Sequence, residues 1–180
     1  PGADPYVVQQ LIELAGPLDA DRLRRAAGDL FDRYPNLAAA FRPIGDGEVV
    51  AVLGARPELP WQLVVTDDVE TVAAAERAEP FDLARPPGMR YALIRLAAER
   101  HVLVQTVHHI VADGWSVPLI LNDLLASYAG QPLPPAPSYR DFLARRGTGD
   151  PAAFAQLLDG VDEPTLLAPG AAAPAARLSA

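Results

Sequence analysis

The sequence has 180 residues, no cysteine, and fifteen basic residues set against a formal net charge of −8. That composition excludes a disulfide framework, a thiolate nucleophile and cysteine-ligated zinc, and it argues against nucleic acid or an anionic membrane as partner. Half of the residues are hydrophobic, enough for one domain or one lobe of something larger, yet no apolar run approaches the roughly 18 residues of a membrane span.

In chain order, residues 6–15 (YVVQQLIELA) read as a strand, stopped by Gly16-Pro17. Asp19 is placed to cap a helix in which Leu23, Ala27, Leu30, Phe31 and Tyr34 recur at helical spacing, and Pro35 ends it. Glu48–Leu53 and Trp61–Val65 read as short strands, the first entered through a Gly45-Asp46-Gly47 turn, and residues 69–79 as a short helix. No third glycine follows that Gly-x-Gly, so it is not a nucleotide-binding fingerprint. FDLARPPG (81–88) is too rich in proline for regular structure. Residues 89–96 and 100–107 are strand-like and are joined as a hairpin through Ala97-Ala98-Glu99.

Residues 115–128 carry Ile120, Leu121, Leu124, Leu125 and Tyr128 on one helical face, with Pro118 tolerated in the first turn. Trp115 is expected to pack into the core at the start of this helix, and Ser116 to cap it. A proline-rich connector (131–137) leads to Ser138-Tyr139-Arg140-Asp141, which has the form of a capping box. The Ala/Pro-rich residues 164–180 have the composition of a linker, leaving 1–163 as the folded lobe. Strands interspersed with helices indicate an α/β layered fold. With no charged leader and cleavage site evident, the expected compartment is the cytoplasm.

The densest chemistry lies in VQTVHHIVADGWS (104–116), which holds two of the three histidines. Side chains alternate along a strand, so His108 and His109 face opposite sides and cannot converge on one ligand while the strand stays regular. Three readings follow: two histidines making ordinary hydrogen bonds, a metal site completed by Asp113, or one catalytic histidine on a structural scaffold. In the third, Asp113 orients the loop and Gly114 lets backbone approach a substrate closely. The metal reading is weakened by the opposed side chains and by the want of a third histidine or second carboxylate nearby. Counting back across the hairpin pairs Arg90 with Val107 to within two residues, beside the loop that His109 opens. An Arg90–Asp113 ion pair is therefore expected.

HHIVADGWS resembles the His-His-x-x-x-Asp-Gly signature of nonribosomal peptide synthetase condensation domains, relatives of chloramphenicol acetyltransferase and other CoA-dependent acyltransferases. The segments 14–41, 81–96 and 138–146 (SYRDFLARR) resemble family segments in the expected order, from about residue 6 to about residue 160. The resemblance implies a chloramphenicol acetyltransferase-like lobe, a mixed β-sheet flanked by helices, as one half of a V-shaped domain with its active site in a tunnel between lobes. The chain starts after the family's first helix and ends where a second lobe begins, so the lobe alone is expected to be inactive.

The implied reaction is amide formation between two carrier-bound thioesters. His109 is then the catalytic histidine and Gly114 its backbone neighbour, with His108, Asp113 and Arg90 as structural support and the Arg90–Asp113 salt bridge a family feature. The implied partners are donor and acceptor peptidyl carrier proteins and the C-terminal lobe. No cofactor or metal is bound by the lobe itself; substrates arrive on the 4'-phosphopantetheine of the carriers. Epimerising relatives continue Asp-Gly with Ser-Trp, heterocyclising relatives replace the histidines by aspartates, and oxygenase-recruiting relatives lose the second histidine. Trp115-Ser116 and His109 favour condensation. A noncatalytic carrier-docking platform, or an epimerisation-type relative, is the alternative.

Overall fold

The strand-forming segments gather around residues 100–108. The computed structural model describes residues 4–147 and 151–160. Its elements run β1 (Val7–Ala15), α1 (Ala20–Arg33), β2 (Ala39–Ile44), β3 (Glu48–Leu53), β4 (Trp61–Val65), α2 (Val69–Ala78), β5 (Met89–Ala97), β6 (Arg100–His108), α3 (Ser116–Ala129), α4 (Tyr139–Arg145) and α5 (Pro151–Leu157). One compact unit comprises Pro1–Asp141; a second, Phe142–Ala180, holds the end of α4 and all of α5. The expected linker, 164–180, lies outside the described residues, as do 161–163.

In the first unit four strands form a sheet in the order β1-β6-β5-β4. β6 runs antiparallel to both β1 and β5, whereas β4 is parallel to β5, so the sheet is mixed. Leu103 and Val107 of β6 and Met89, Tyr91 and Leu93 of β5 pack on α1 and α3 through Leu23, Leu30, Ile120 and Leu124. The alternate residues Val102, Val104, Ala92 and Ile94 pack on the other face with Ala73 of α2. Every β6 residue after Arg100 is buried. Truncating a leucine such as Leu103 in such a position costs about 2–5 kcal/mol, which makes β6 the spine of the unit.

Helix boundaries follow local chemistry. Asp19 accepts the Arg22 N–H at 2.9 Å and starts α1, Asp68 accepts the Thr71 N–H at 3.0 Å and starts α2, and Gly130, at φ 73°, ends α3. Ser138 Oγ accepts the Asp141 N–H at 3.2 Å at the head of α4. Strand β2 is an addition to the expected elements: two alanines and Pro43 disguise it, and among the described residues it pairs only with β3, across a turn whose Gly45 and Gly47 have positive φ. Trp115 is not a core residue, being 88% exposed; one position before α3, it lies off the stripe formed by Val117, Ile120 and Leu124.

Arg90 corrects a second expectation. A two-residue turn does join β5 and β6, but a bulge between Arg95 and Ala97 shifts the register, so Arg90 pairs with Thr106 and Met89 with Val107. One residue of slip moves a side chain to the opposite face. Arg90 therefore shares a face with Ala92 and Ile94, toward α2. Its Nε donates to Glu76 Oε2 at 3.0 Å, and Nη2 donates to the Glu76 and Glu79 carbonyls. The guanidinium also lies 4.0 Å over the Phe81 ring. There is no Arg90–Asp113 ion pair. Both Arg90 and Glu76 side chains are 11% exposed, and a part-buried guanidinium takes the carboxylate on its own side of the sheet.

His101 is the buried histidine of the far end, paired across the sheet with Leu14 and Arg95. Its Nδ1 is buried with no hydrogen-bond partner among the described residues. Burial, and then the charge of Arg95, hold its pKa below the ordinary 6.5. The unfolded chain thus binds a proton there at higher pH than the folded one does, so the neutral ring supports folding above pH ~6.5 and that support is lost as pH falls toward the folded value. Replacing His101 by glutamine is expected to flatten the dependence of the melting temperature on pH below about 6.5, measured by thermal denaturation across a pH series. Arg90→Ala is expected to lower unfolding free energy by about 2–3 kcal/mol, because it removes the charged partner of the part-buried Glu76 carboxylate. The double variant Arg90→Met/Glu76→Leu should recover most of that loss in urea titrations.

Candidate active site

β6 carries the histidine pair to the end of the sheet, and there the two side chains part. His108 is 6% exposed. Its backbone N–H donates to Gly88 O at 2.9 Å and its carbonyl accepts the Val111 N–H at 3.1 Å, closing a tight turn around His109 and Ile110. Its Nδ1 accepts the Ile110 N–H at 3.1 Å. The rings of Tyr6 and Phe81 stand at centroid distances of 6.2 and 6.1 Å from that of His108, the second edge-on. His109 is exposed. Its backbone N–H donates to Tyr6 O at 2.7 Å, while its ring has no hydrogen bond among the described residues.

The rest of the loop is anchored from below. Val111 and Ala112 are buried in the cluster that holds α1 and α3. Val111 lies so close to Gly88 that a Cβ built there would stand 2.8 Å from Cγ1. Gly88 also donates through its N–H to Leu37 O, at 3.4 Å, so this glycine is a packing junction between the 81–88 segment and the motif. The sequence marks that segment as irregular without indicating this contact, which depends on tertiary approach.

Asp113 and Gly114 are exposed and open α3. Asp113, not Ser116, is the capping residue. Its Oδ1 accepts the Ser116 hydroxyl at 2.6 Å, the Ser116 N–H at 2.8 Å and the Trp115 N–H at 3.2 Å, while its backbone carbonyl accepts from Val117 at 3.1 Å. The Ser116 hydroxyl, then the Ser116 and Trp115 amides, hold its carboxyl below the usual carboxylate range. No basic group pairs with it among the described residues, which leaves helix initiation as its visible task. Gly114 has an ordinary backbone angle, open space where a Cβ would project, and no acceptor for its N–H among the described residues.

His108 and Arg90 thus meet through Phe81 on the α2 face, whereas His109, Asp113 and Gly114 lie together on the exposed turn and helix start. Among the described residues no cluster of three or more His, Cys, Asp or Glu could hold a metal ion. No helix among them is long and apolar enough to cross a membrane. A surface hollow of about 250 Å³ lies beside Arg33, Tyr34, Pro137 and Tyr139 and includes no residue of the motif. The turn is instead flanked by large exposed apolar side chains: Tyr6 (63%), Ile110 (42%), Trp115 (88%) and Leu119 (61%).

Residues 1–150 match the family model described as Condensation domain. The chain is 35% identical over 139 residues to tyrocidine synthase 3 of Brevibacillus parabrevis, covering 76% of this chain and 2% of that protein. It is 32% identical over 185 residues to chondramide synthase cmdD of Chondromyces crocatus, covering 92% of this chain and 5% of that one. The chain therefore spans only a few per cent of the length of these relatives. Among solved structures, the first condensation domain of the calcium-dependent antibiotic synthetase, in complex with a substrate analogue, aligns with a TM-score of 0.71 at 25% identity, over 90% of this chain and 44% of that one. The X-domain from teicoplanin biosynthesis, in complex with OxyB, aligns with a TM-score of 0.65 at 28% identity, over 88% and 35%. The mixed sheet, its flanking helices and the coverage of under half of each solved chain describe one lobe of a two-lobed fold, and the chain belongs to the condensation-domain family of nonribosomal peptide synthetases.

Proposed function

We propose that this lobe supplies His109 to peptide-bond formation between two carrier-bound thioesters. The observation that carries the reading is the exposure of His109 at the tip of a strand whose preceding eight residues, 101–108, are all buried. A sheet that buries both faces and then releases one imidazole to the surface has the form of a reactive group on a rigid support. In the proposed reaction the acceptor's amine nitrogen adds to the carbonyl carbon of the donor thioester. The C–S bond then breaks, and the proton lost by nitrogen ends on the departing pantetheine thiol.

An α-amino group has a pKa near 8, so much of the amine is already neutral at pH 7 to 8 and needs little activation. His109 then contributes chiefly by holding the amine in line and by stabilising or relaying the proton of the tetrahedral adduct. Gly114 offers a free backbone N–H and no side chain at the start of α3, where positive helix-end charge favours developing negative charge. Asp113 keeps that helix end in place, and His108 and Arg90 support the strand side of the turn.

The exposed Tyr6, Ile110, Trp115 and Leu119 around the turn are the surface a second, C-terminal lobe would cover in closing a tunnel. Donor and acceptor peptidyl carrier proteins are the proposed partners, their 4'-phosphopantetheine arms bringing substrate to the turn. The cytoplasm is the compartment this role implies.

The test supplies the full-length protein with donor and acceptor carrier thioesters and follows products by mass spectrometry. A new peptidyl thioester is expected; deuterium exchange at the α-carbon without coupling would indicate epimerisation, and carrier binding without turnover a docking platform. His109→Ala is expected to slow coupling by about 10²–10⁴-fold while leaving the melting temperature unchanged, because the ring is exposed. Undiminished coupling would remove His109 from the mechanism.

A further inference from the structure

The turn that precedes β1 reaches back to the histidine pair. Asp4, Pro5, Tyr6 and Val7 form a β-turn closed by the Val7 N–H on Asp4 O, at 3.2 Å. Aspartate at the first position and proline at the second both favour such a turn. One carboxylate oxygen of Asp4, Oδ1, accepts the Tyr6 N–H at 2.9 Å, an Asx turn. The other, Oδ2, stands 3.4 Å from Nε2 of His108. Since Nδ1 of His108 accepts from Ile110, the neutral ring carries its proton on Nε2, toward that carboxylate. Tyr6 meanwhile places its carbonyl on the His109 N–H.

We propose that Asp4 and Tyr6 are positioning residues for His109. The His109 ring has no hydrogen-bond partner among the described residues, so its location is set through the backbone on either side of it. On the N-terminal side Tyr6 O holds the His109 amide itself. On the C-terminal side the His108 ring holds the Ile110 amide, which it can do only as the Nε2–H tautomer, and Asp4 favours that tautomer. A single turn of chain, remote from the motif in sequence, thereby fixes both ends of the residue that bears the imidazole. The inference rests on the reading of His109 as the reacting group and adds two residues outside the 104–116 motif to its machinery.

Asp4→Asn is the decisive variant. Asparagine keeps an oxygen for the Tyr6 N–H, so the turn persists, but it turns an NH₂ group toward the Nε2–H of His108. In ¹⁵N-histidine-labelled protein, long-range ¹H–¹⁵N spectra are expected to report His108 as the Nε2–H tautomer in wild type and as the Nδ1–H tautomer in Asp4→Asn. The Ile110 and His109 amide resonances should shift with it, at an unchanged melting temperature. In the full-length protein with both carriers, kcat for coupling is expected to fall about tenfold with KM for the acceptor carrier nearly constant. Asp46→Asn, in the remote β2–β3 turn, should change neither. If Asp4→Asn loses the fold, Asp4→Ser carries the same comparison, since its hydroxyl can still close the turn. An unchanged His108 tautomer and Ile110 amide would overturn the contact, and a changed tautomer with wild-type kcat would overturn the positioning role. A wild-type protein that forms no peptide would defeat the reading of His109 alone, with the spectra still judging the turn.

Discussion

Side chains on a β-strand alternate between faces, and this alternation governs the candidate site more than any single bond. His108 and His109 are neighbours in sequence, but a strand cannot point them the same way. His108 follows Val104 and Thr106 toward the α2 side, where Phe81 meets it and Arg90 lies over Phe81. His109 has the opposite parity, at the point where pairing stops and helix α3 has not begun. Burial on both faces makes the alternation binding: a slip of one residue would move His108 off the α2 side, either out to the exposed position of His109 or into the α1/α3 core at the position of Val107.

The same rule decides which charges can meet. Arg90 would face the motif loop if β5 and β6 paired without interruption, and the bulge before Ala97 turns it to the other side. Glu76 answers it there, from α2, with Gln62 donating to the same carboxylate. Asp113 is left to the solvent side and satisfies itself within one turn of helix, through Ser116 and Trp115. The motif aspartate and the strand arginine are thus both neutralised locally, the one by backbone amides and a hydroxyl, the other by the part-buried Glu76 carboxylate. Neither arrangement draws on the other, so a change at Arg90 perturbs the packing under His108 without touching the cap of α3.

Much of this is legible in the residues, and the failures have identifiable causes. β-branched runs bounded by glycine and proline place β3 and β4, and Asp19 announces the start of α1, because each of these signals acts within a few residues. β2 escapes because Ala39, Ala40 and Pro43 have no strand preference of their own and take their conformation from β3. The ion pair expected of Arg90 fails on a single bulge, which no periodicity reveals. Helical spacing counts Trp115 as apolar and so sends it to the core; its exposure follows from an angular position outside the buried stripe. Gly88 and Asp4 give no signal of their role, since their partners, Val111 and His108, are distant in sequence. Only the Asp-Pro pair is visible there, and it signals a turn, not what the turn will touch.

The loop that results is held unevenly, and that unevenness bears on how a lobe of this kind can work. Gly88, Val111 and Ala112 lock the floor of the turn, Tyr6 and His108 grip the backbone on either side of His109, and Asp113 fixes the helix that follows. The backbone on both sides of His109 is therefore held within the unit itself, which in the proposed reaction lowers the cost of ordering the imidazole. The imidazole itself is exposed and has no hydrogen bond among the described residues, and Trp115 is likewise exposed. Under the proposed function, the ring's final orientation would come from substrate or from a second lobe over the exposed apolar side chains. In the proposed reaction, that completion would couple the alignment of the imidazole to the arrival of both carriers.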